Sequence, residues 1–417
     1  SPLSREGEYL AKYIGLALAS TGATSKVAVV GVDVNGNGSG SPVIEDATDT
    51  AIIRADSVVF RRSNITDKAA YDETCDVRTL RDCHVWLICL DAATSSNALQ
   101  FVQKRTTAGA KNGETTKTPK RRVIISLQPA MRQLRELENT FPKDTVLHGG
   151  ACFHVTQNKH GVLYPLSHGC FFIERLTSEK TDALFALDLL EATGFQVLSR
   201  KNVQALKWGH SMVRLFYYLN ALTGESVAQS LSDRAMRLVY LEMLFEMDTL
   251  FEQVATSFND GNRDATARRS WAPDASACTY LSIHALMVLL PLPNWIFNRV
   301  ATKLVDVGLT SSLTGFSTIA RDVDAHRETE FWTEFKDVFD LAKRRNKTLP
   351  ALTTLQTTLA MLTKQAEADR QRPKLSGRGL LSQIPSSRKS RAVSRTFFVK
   401  VIITVLATLV LILYFLK

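Results

Sequence analysis

The sequence predicts an α/β domain, then an all-helical domain, then one membrane-spanning helix at the C-terminal end. Three observations carry this. Continuous apolar runs at KVAVVGV (26–32), HVWLICL (84–90) and RRVIISL (121–127) have the character of buried parallel strands. From about residue 180 onward, apolar residues recur at helical spacing. Residues Phe397 to Leu416 make 20 positions with a single charge, Lys400. As a helix rising ~1.5 Å per residue, they reach across a hydrocarbon core of roughly 30 Å.

Taken in chain order, GEYLAKYIGLALAST (7–21) spaces its apolar residues as a helix, with Ala11, Gly15 and Ala19 on one side for close packing on a sheet. Gly22 ends it. The three strands follow, with a helix around 94–105 and a polar loop, TTAGAKNGETTKTPK, between the second and third. VLHGGACFHV (146–155) and HGVLYPLSHGCFFIERL (160–176) read as antiparallel strands that close the domain. Helices are then expected at 203–222, 232–258, 278–290, 328–346 and 351–365, with Ser232 or Asp233 capping the second. YLSIHALMVLLPLPNWIF invites a second membrane span, but it is short, carries His284 and two prolines, and reads as a core helix ending at Pro291. The expected divisions are 1–178 for the α/β domain, 179–369 for the helical domain, 370–395 for a basic flexible linker and 396–417 for the membrane helix.

Charge narrows the choice of partner. The net charge is +10 over 417 residues, and Arg370 to Lys417 hold ten Lys or Arg with no Asp or Glu, so residues 1–369 sum to zero. A neutral body lacks the electrostatic footprint of a nucleic-acid binder. A basic segment beside an apolar helix instead suits an anionic membrane surface. The six cysteines form no CxxC pair and read as buried thiols. Cys152, His154, His168 and Cys170 have an unusual spacing for zinc and are better explained as two half-buried strands, so no metal is expected.

In their order and spacing, RRVIISLQPAMRQLREL, VLHGGACFHV, NVQALKWGHSMVRLFYYLNAL and SSLTGFSTIARDVDAHRETEFWTEFKDVFDLAKRRNKTLPALTTL resemble the ketopantoate reductase family of the 6-phosphogluconate-dehydrogenase-like group. The resemblance spans most of residues 7–365 and implies a Rossmann-like N-terminal domain, a helical C-terminal domain, and reduction of a 2-oxo acid with NADPH. It also exposes departures from the family's pattern. Asp91 stands where the resemblance implies a lysine, Pro129 and Ala130 replace an Asn-Gly pair, His210 replaces the catalytic lysine, and Arg214 replaces an asparagine. Lys207 lies one turn before His210 and reaches toward the same space. The family's carboxylate is retained as Glu330, with Asp322, Ser317 and Thr318 also matching.

Two registers fit KVAVVGVDVNGNG. As the first strand and phosphate loop, it puts Asp33 where backbone must approach a phosphate closely, and the residues that follow make a poor helix start. As the second strand, it fits the small residues of the preceding helix better. The first strand and Gly-rich loop are then missing, and Asp33 is left as the residue to meet a ribose if a nucleotide is retained.

The expected function is therefore a non-catalytic reductase-like scaffold or accessory subunit of a membrane-bound complex. Membrane lipid is met through Phe397 to Leu416, and no cofactor is expected. A mitochondrial membrane is the favoured location, with the endoplasmic reticulum as the other; the opening Ser1 would follow from removal of a targeting sequence. The alternative is a membrane-tethered reductase using NADPH or NADH, with His210 or Lys207 as the acid and Glu330 orienting the substrate.

Overall fold

The computed structural model describes residues 14, 27–33, 43–45, 52–53, 58–64, 84–89, 122–127, 133–142, 144–153, 155–157, 162–165, 169–176, 183–192, 194–257, 271–277, 282–301, 317–324, 329–365 and 375–384. KVAVVGV forms β1 (Val27–Asp33). Past β2 (Val43–Glu45) and β3 (Ile52–Ile53), the chain returns as β4 (Val58–Asn64), which pairs with β1 in parallel from Val27 opposite Val58 to Asp33 opposite Asn64.

The two other apolar runs form β5 (Val85–Ile88) and β6 (Val123–Ser126), which lie parallel as their continuous hydrophobicity implies. Helix α1 (Gln133–Thr140) then leads into β7 (Thr145–Ala151), parallel to β6. β8 (Val155–Gln157) and β9 (Val162–Pro165) make an antiparallel hairpin, and β9 also takes β2 and β3 into a small sheet of order β3-β2-β9-β8. β10 (Cys170–Glu174) comes back antiparallel to β7. After α2 (Leu184–Glu191), β11 (Gln196–Arg200) adds in parallel to β10 and completes a five-stranded sheet of order β11-β10-β7-β6-β5. VLHGGA is thus a third parallel strand, and only the β10 side of the expected antiparallel closure pairs against it.

Alternation along the strands divides the side chains between two faces. Val123, Ile125, Leu147, Phe171 and Ile173 face one side, where Ile14 and the α2 residues Ala186, Leu187 and Leu190 cover them. Trp86, Ile88, Ile124 and Val146 face the other, against Leu137 and Phe141. Cys170 and Phe172 pack instead into the core of the helical part.

That part is organised on α3 (Val203–Asn220). Asn202 caps it by accepting from the Ala205 N–H at 3.2 Å, and every residue from Ala205 to Thr223 is buried. α4 (Val227–Ser232) opens with a capping box of Ser226 and Gln229. Asp233 caps α5 (Arg234–Ser257), its Oδ1 accepting from Ala235 N–H at 2.9 Å. α6 (Ile283–Leu289) is the expected short core helix, with Ser282 as its cap and Ile283, Leu286 and Met287 buried. α7 (Asn294–Ile296) runs into a π-helical turn at Phe297–Ala301. α8 (Thr318–Asp324), α9 (Phe331–Arg344) and α10 (Pro350–Gln365) complete the helical layer.

Three expectations need correction. The change to helices does not fall at residue 178, because β11 pairs with β10 and α2 packs on the sheet; the sheet-bearing part runs through Arg200. Nor is 370–395 wholly a flexible linker. Within it, Ser376 caps α11 (Gly377–Gln383), and Leu380 and Ile384 bury themselves in the helical core at 2% and 6% exposure. A short amphipathic turn with two large apolar residues has a stable seat there despite its glycines. Finally, Cys89 and Cys170 are buried free thiols, whereas Cys152 is disulfide-bonded. Among the described residues no helix is long and apolar enough to cross a membrane. Phe397 to Leu416, Asp91, Pro129, Ala130, His154 and His168 lie outside them.

Candidate functional site

Most of α3 is Leu, Met, Phe, Tyr, Trp and Val, which explains the burial of all its residues but Gln204 between sheet and helices. Into this apolar rod the sequence sets Lys207, His210, Arg214 and Tyr218 at spacings of three, four and four, so they form one stripe along a single side. The opposite side is sealed. Asp274 N–H donates to Ala205 O at 2.9 Å, and a Cβ at Gly209 would collide with the Asp274 backbone, so glycine is what lets this segment lie against the helix.

At the N-terminal end of the stripe, Lys207 is 1% exposed, and burial pushes its ammonium down to about 7. It acts electrostatically on His148 of β7, whose Nε2 lies 3.0 Å from Glu138 Oε1 on α1. Burial lowers His148 below its ordinary value, and the charge of Lys207 pushes the same way; Glu138, through its hydrogen bond, and Glu174 pull upward. Glu174 of β10 also accepts weakly from the His148 backbone N–H, at 3.5 Å. One turn along, His210 meets the Phe172 ring edge-on with centroids 6.1 Å apart. The basic groups of α3 thus look onto strands β7 and β10.

The C-terminal half of the stripe is a closed polar cluster. Arg214 Nε donates to both carboxylate oxygens of Glu334 at 3.1 Å each, and Tyr218 Oη donates to Glu334 Oε2 at 2.8 Å. The Arg214 and Glu334 side chains are 5% and 0% exposed. Phe331 and Phe335 stand edge-on to the Tyr218 ring and exclude water from the cluster. Glu330 occupies the N-cap position of α9 one turn before Glu334 and is 8% exposed, without capping the helix through its side chain. Ser317 Oγ accepts from Ala320 N–H at 3.0 Å, a capping role for α8, while Thr318 and Asp322 are buried in that helix.

The stripe therefore holds Lys207 and His210 on α3 and engages α9, the helix that Glu330 precedes. Asp33 stands at the end of β1, opposite Asn64 of β4. Sequence reading missed His148, Glu138, Glu174, Tyr218 and Glu334. Tyr218 was accessible as the next step of the 207–210–214 series. The others belong to distant elements, and Glu334 stands 120 positions from Arg214.

No family model and no curated protein matches the sequence. Among solved structures, the chain is similar to D-mandelate dehydrogenase with NADH and anilino(oxo)acetate, at 11% identity over 85% of this chain and 96% of that one, with a TM-score of 0.56. A ketopantoate reductase from Ralstonia eutropha matches at 13% identity over 85% and 95% of the two chains, TM-score 0.53. A 2-dehydropantoate 2-reductase from Geobacter metallireducens gives 11% identity over 84% and 95%, also at 0.53. The chain has a ketopantoate-reductase-like fold: a mixed α/β sheet with parallel strands followed by a helical part. The likeness is one of fold.

Proposed function

We propose that the chain is a reductase-fold protein without turnover, serving as a scaffold or accessory subunit of a membrane-bound complex. The observation that carries this reading is the buried Arg214–Glu334–Tyr218 cluster. The resemblance puts an uncharged amide that orients substrate at position 214. Here an arginine is committed to Glu334 through two hydrogen bonds in a nearly water-free setting. Opening that position to a 2-oxo acid means separating a buried ion pair, at a cost of about 3–5 kcal/mol if one charge is left unpaired. Phe397 to Leu416 serve as the membrane anchor in this reading, in a mitochondrial membrane, and Lys400 reaches back to the lipid surface.

Calorimetric titration of the whole chain with NADPH and with NADH, alongside an assay for reduction of 2-oxo acids, tests the proposal. Neither saturable binding nor turnover is expected. Saturable binding that Asp33→Ala or Glu330→Gln abolishes would refute it.

The second reading, an active NADPH- or NADH-dependent reductase of 2-oxo acids, is favoured by one observation: Lys207 is held at about 7 on the same stripe. An acid in that range is matched to protonating a nascent alkoxide near neutral pH. Lys207 or His210 would give the proton, Glu330 would orient the substrate, and Asp33 would hold the nucleotide's ribose.

A further inference from the structure

We infer that Asp248, Glu252 and His284 form a binding site for a divalent transition-metal ion that joins α6 to α5. Asp248 and Glu252 are four residues apart on α5 and so project from the same side of that helix. His284 sits in the first turn of α6, and its Nε2 lies 3.6 Å from Asp248 Oδ2. One ligand atom from each of the three residues falls within 4.8 Å of the other two. Among the described residues this is the one group of three His, Cys, Asp or Glu side chains so placed.

The distances suit an ion. Bonds of about 2.0–2.2 Å to imidazole nitrogen and carboxylate oxygen put neighbouring ligands roughly 3–4 Å apart. The adjustment falls on the side chains best able to make it, since Glu252 is exposed and the His284 side chain is 61% exposed. Asp248, at 13%, is the fixed point. The backbones are already set, because Ile283, Leu286 and Met287 of α6 and Leu250 and Phe251 of α5 are buried in the same core.

The donor set selects the class of ion. One imidazole with two carboxylates and no thiolate suits zinc, cobalt or manganese. It lacks the soft sulfur that copper(I) prefers and the all-oxygen shell of calcium. Three protein ligands on a surface leave further coordination positions for water or for a residue of a docking partner. The proposal involves none of the α3 stripe, so it holds whether or not the chain turns over a substrate.

Titration of the full chain in detergent with zinc chloride, followed by calorimetry, should reveal one equivalent bound with micromolar affinity. His284→Ala and Glu252→Gln, both at exposed side chains, should each weaken binding about tenfold or more, as losing a metal-orienting group does. Cobalt(II) added to the wild type should give visible absorption bands that His284→Ala abolishes. Zinc should also raise the unfolding temperature of the wild type by mass action, and not that of His284→Ala. Absence of zinc binding, or one equivalent retained at full affinity in both variants, would overturn the proposal. If a variant is unfolded, Asp248→Asn with the same cobalt readout decides.

Discussion

Replacing Lys207 by methionine should stabilise the protein at neutral pH and remove a rise in stability that the wild type gains in alkali. Lys207 is 1% exposed, and burial carries its pKa from an ordinary 10.5 to about 7. In the unfolded chain the amine stays protonated up to its ordinary value. Between about pH 7 and 10.5 the unfolded state therefore holds a proton that the folded state lacks, and stability increases with pH. Below pH 7 both states are protonated and the full cost of burying the charge applies. At about 1.4 kcal/mol per pH unit that cost approaches 5 kcal/mol, and about 2 kcal/mol is recovered between pH 7 and pH 9. Methionine fills a similar length of the buried slot without a charge. Urea unfolding of both proteins at several pH values from 6 to 9 measures the difference, in which the titrations of groups not coupled to Lys207 cancel. Parallel stability curves for wild type and variant would refute the reasoning, because they would mean that Lys207 keeps its proton inside the fold.

Other outcomes follow from the same coordinates. Arg214→Met and Glu334→Gln should each destabilise by about 3–5 kcal/mol, and the double variant by clearly less than their sum, since neither charge is then left alone; denaturant unfolding of the four proteins reads the coupling. Glu246 accepts from the Ala351 and Leu352 N–H groups at 2.7 and 3.1 Å, and burial still raises its pKa from 4.5 to about 7. The folded state binds the extra proton there, so stability should fall as pH rises from 4.5 to 7, and Glu246→Gln should flatten that slope in the same urea series. Leu380→Ala should cost about 2 kcal/mol or more through lost burial, and hydrogen exchange should quicken in α11 before it does in α5. A Cβ at Gly377 would come within 2.6 Å of Met236 N, so Gly377→Val should release the same helix to proteolysis.

Legibility in the sequence tracked how locally each feature is encoded. VIIS is buried at every position because both faces of β6 are covered, and its apolar run within alternating strands and helices was enough to predict parallel pairing. The edge strand QVLSR is exposed or half-buried throughout, so its alternation was too weak to separate it from the helices around it. The expected boundary at 178 therefore falls before β11. GRGLLSQ was hidden differently, since glycines and basic neighbours suggest a linker until Leu380 is seen to have a seat. At the stripe, the family resemblance pointed to His210 and Arg214, and the helical period added Lys207 one turn earlier. Periodicity says nothing of partners, and Arg214 acquires its meaning from a carboxylate 120 positions away. His148 was likewise read as an ordinary strand residue, because its neighbours Glu138 and Lys207 come from two helices on either side of it in the chain.

The seat of α11 has a mechanical consequence. Leu375 N–H bonds to Leu222 O at 3.2 Å, and Leu380 and Ile384 sit in the core that α3 and α5 share. A pull on the chain beyond residue 384 would therefore load the helical core first, and reach the sheet through α3 on β7 and β10 and through the hydrogen bond from Cys170 Sγ to Ala277 O. The body would behave as a bollard: a fastening at its C-terminal end would strain the rigid bundle of helices, while the sheet and its edge strands stayed slack.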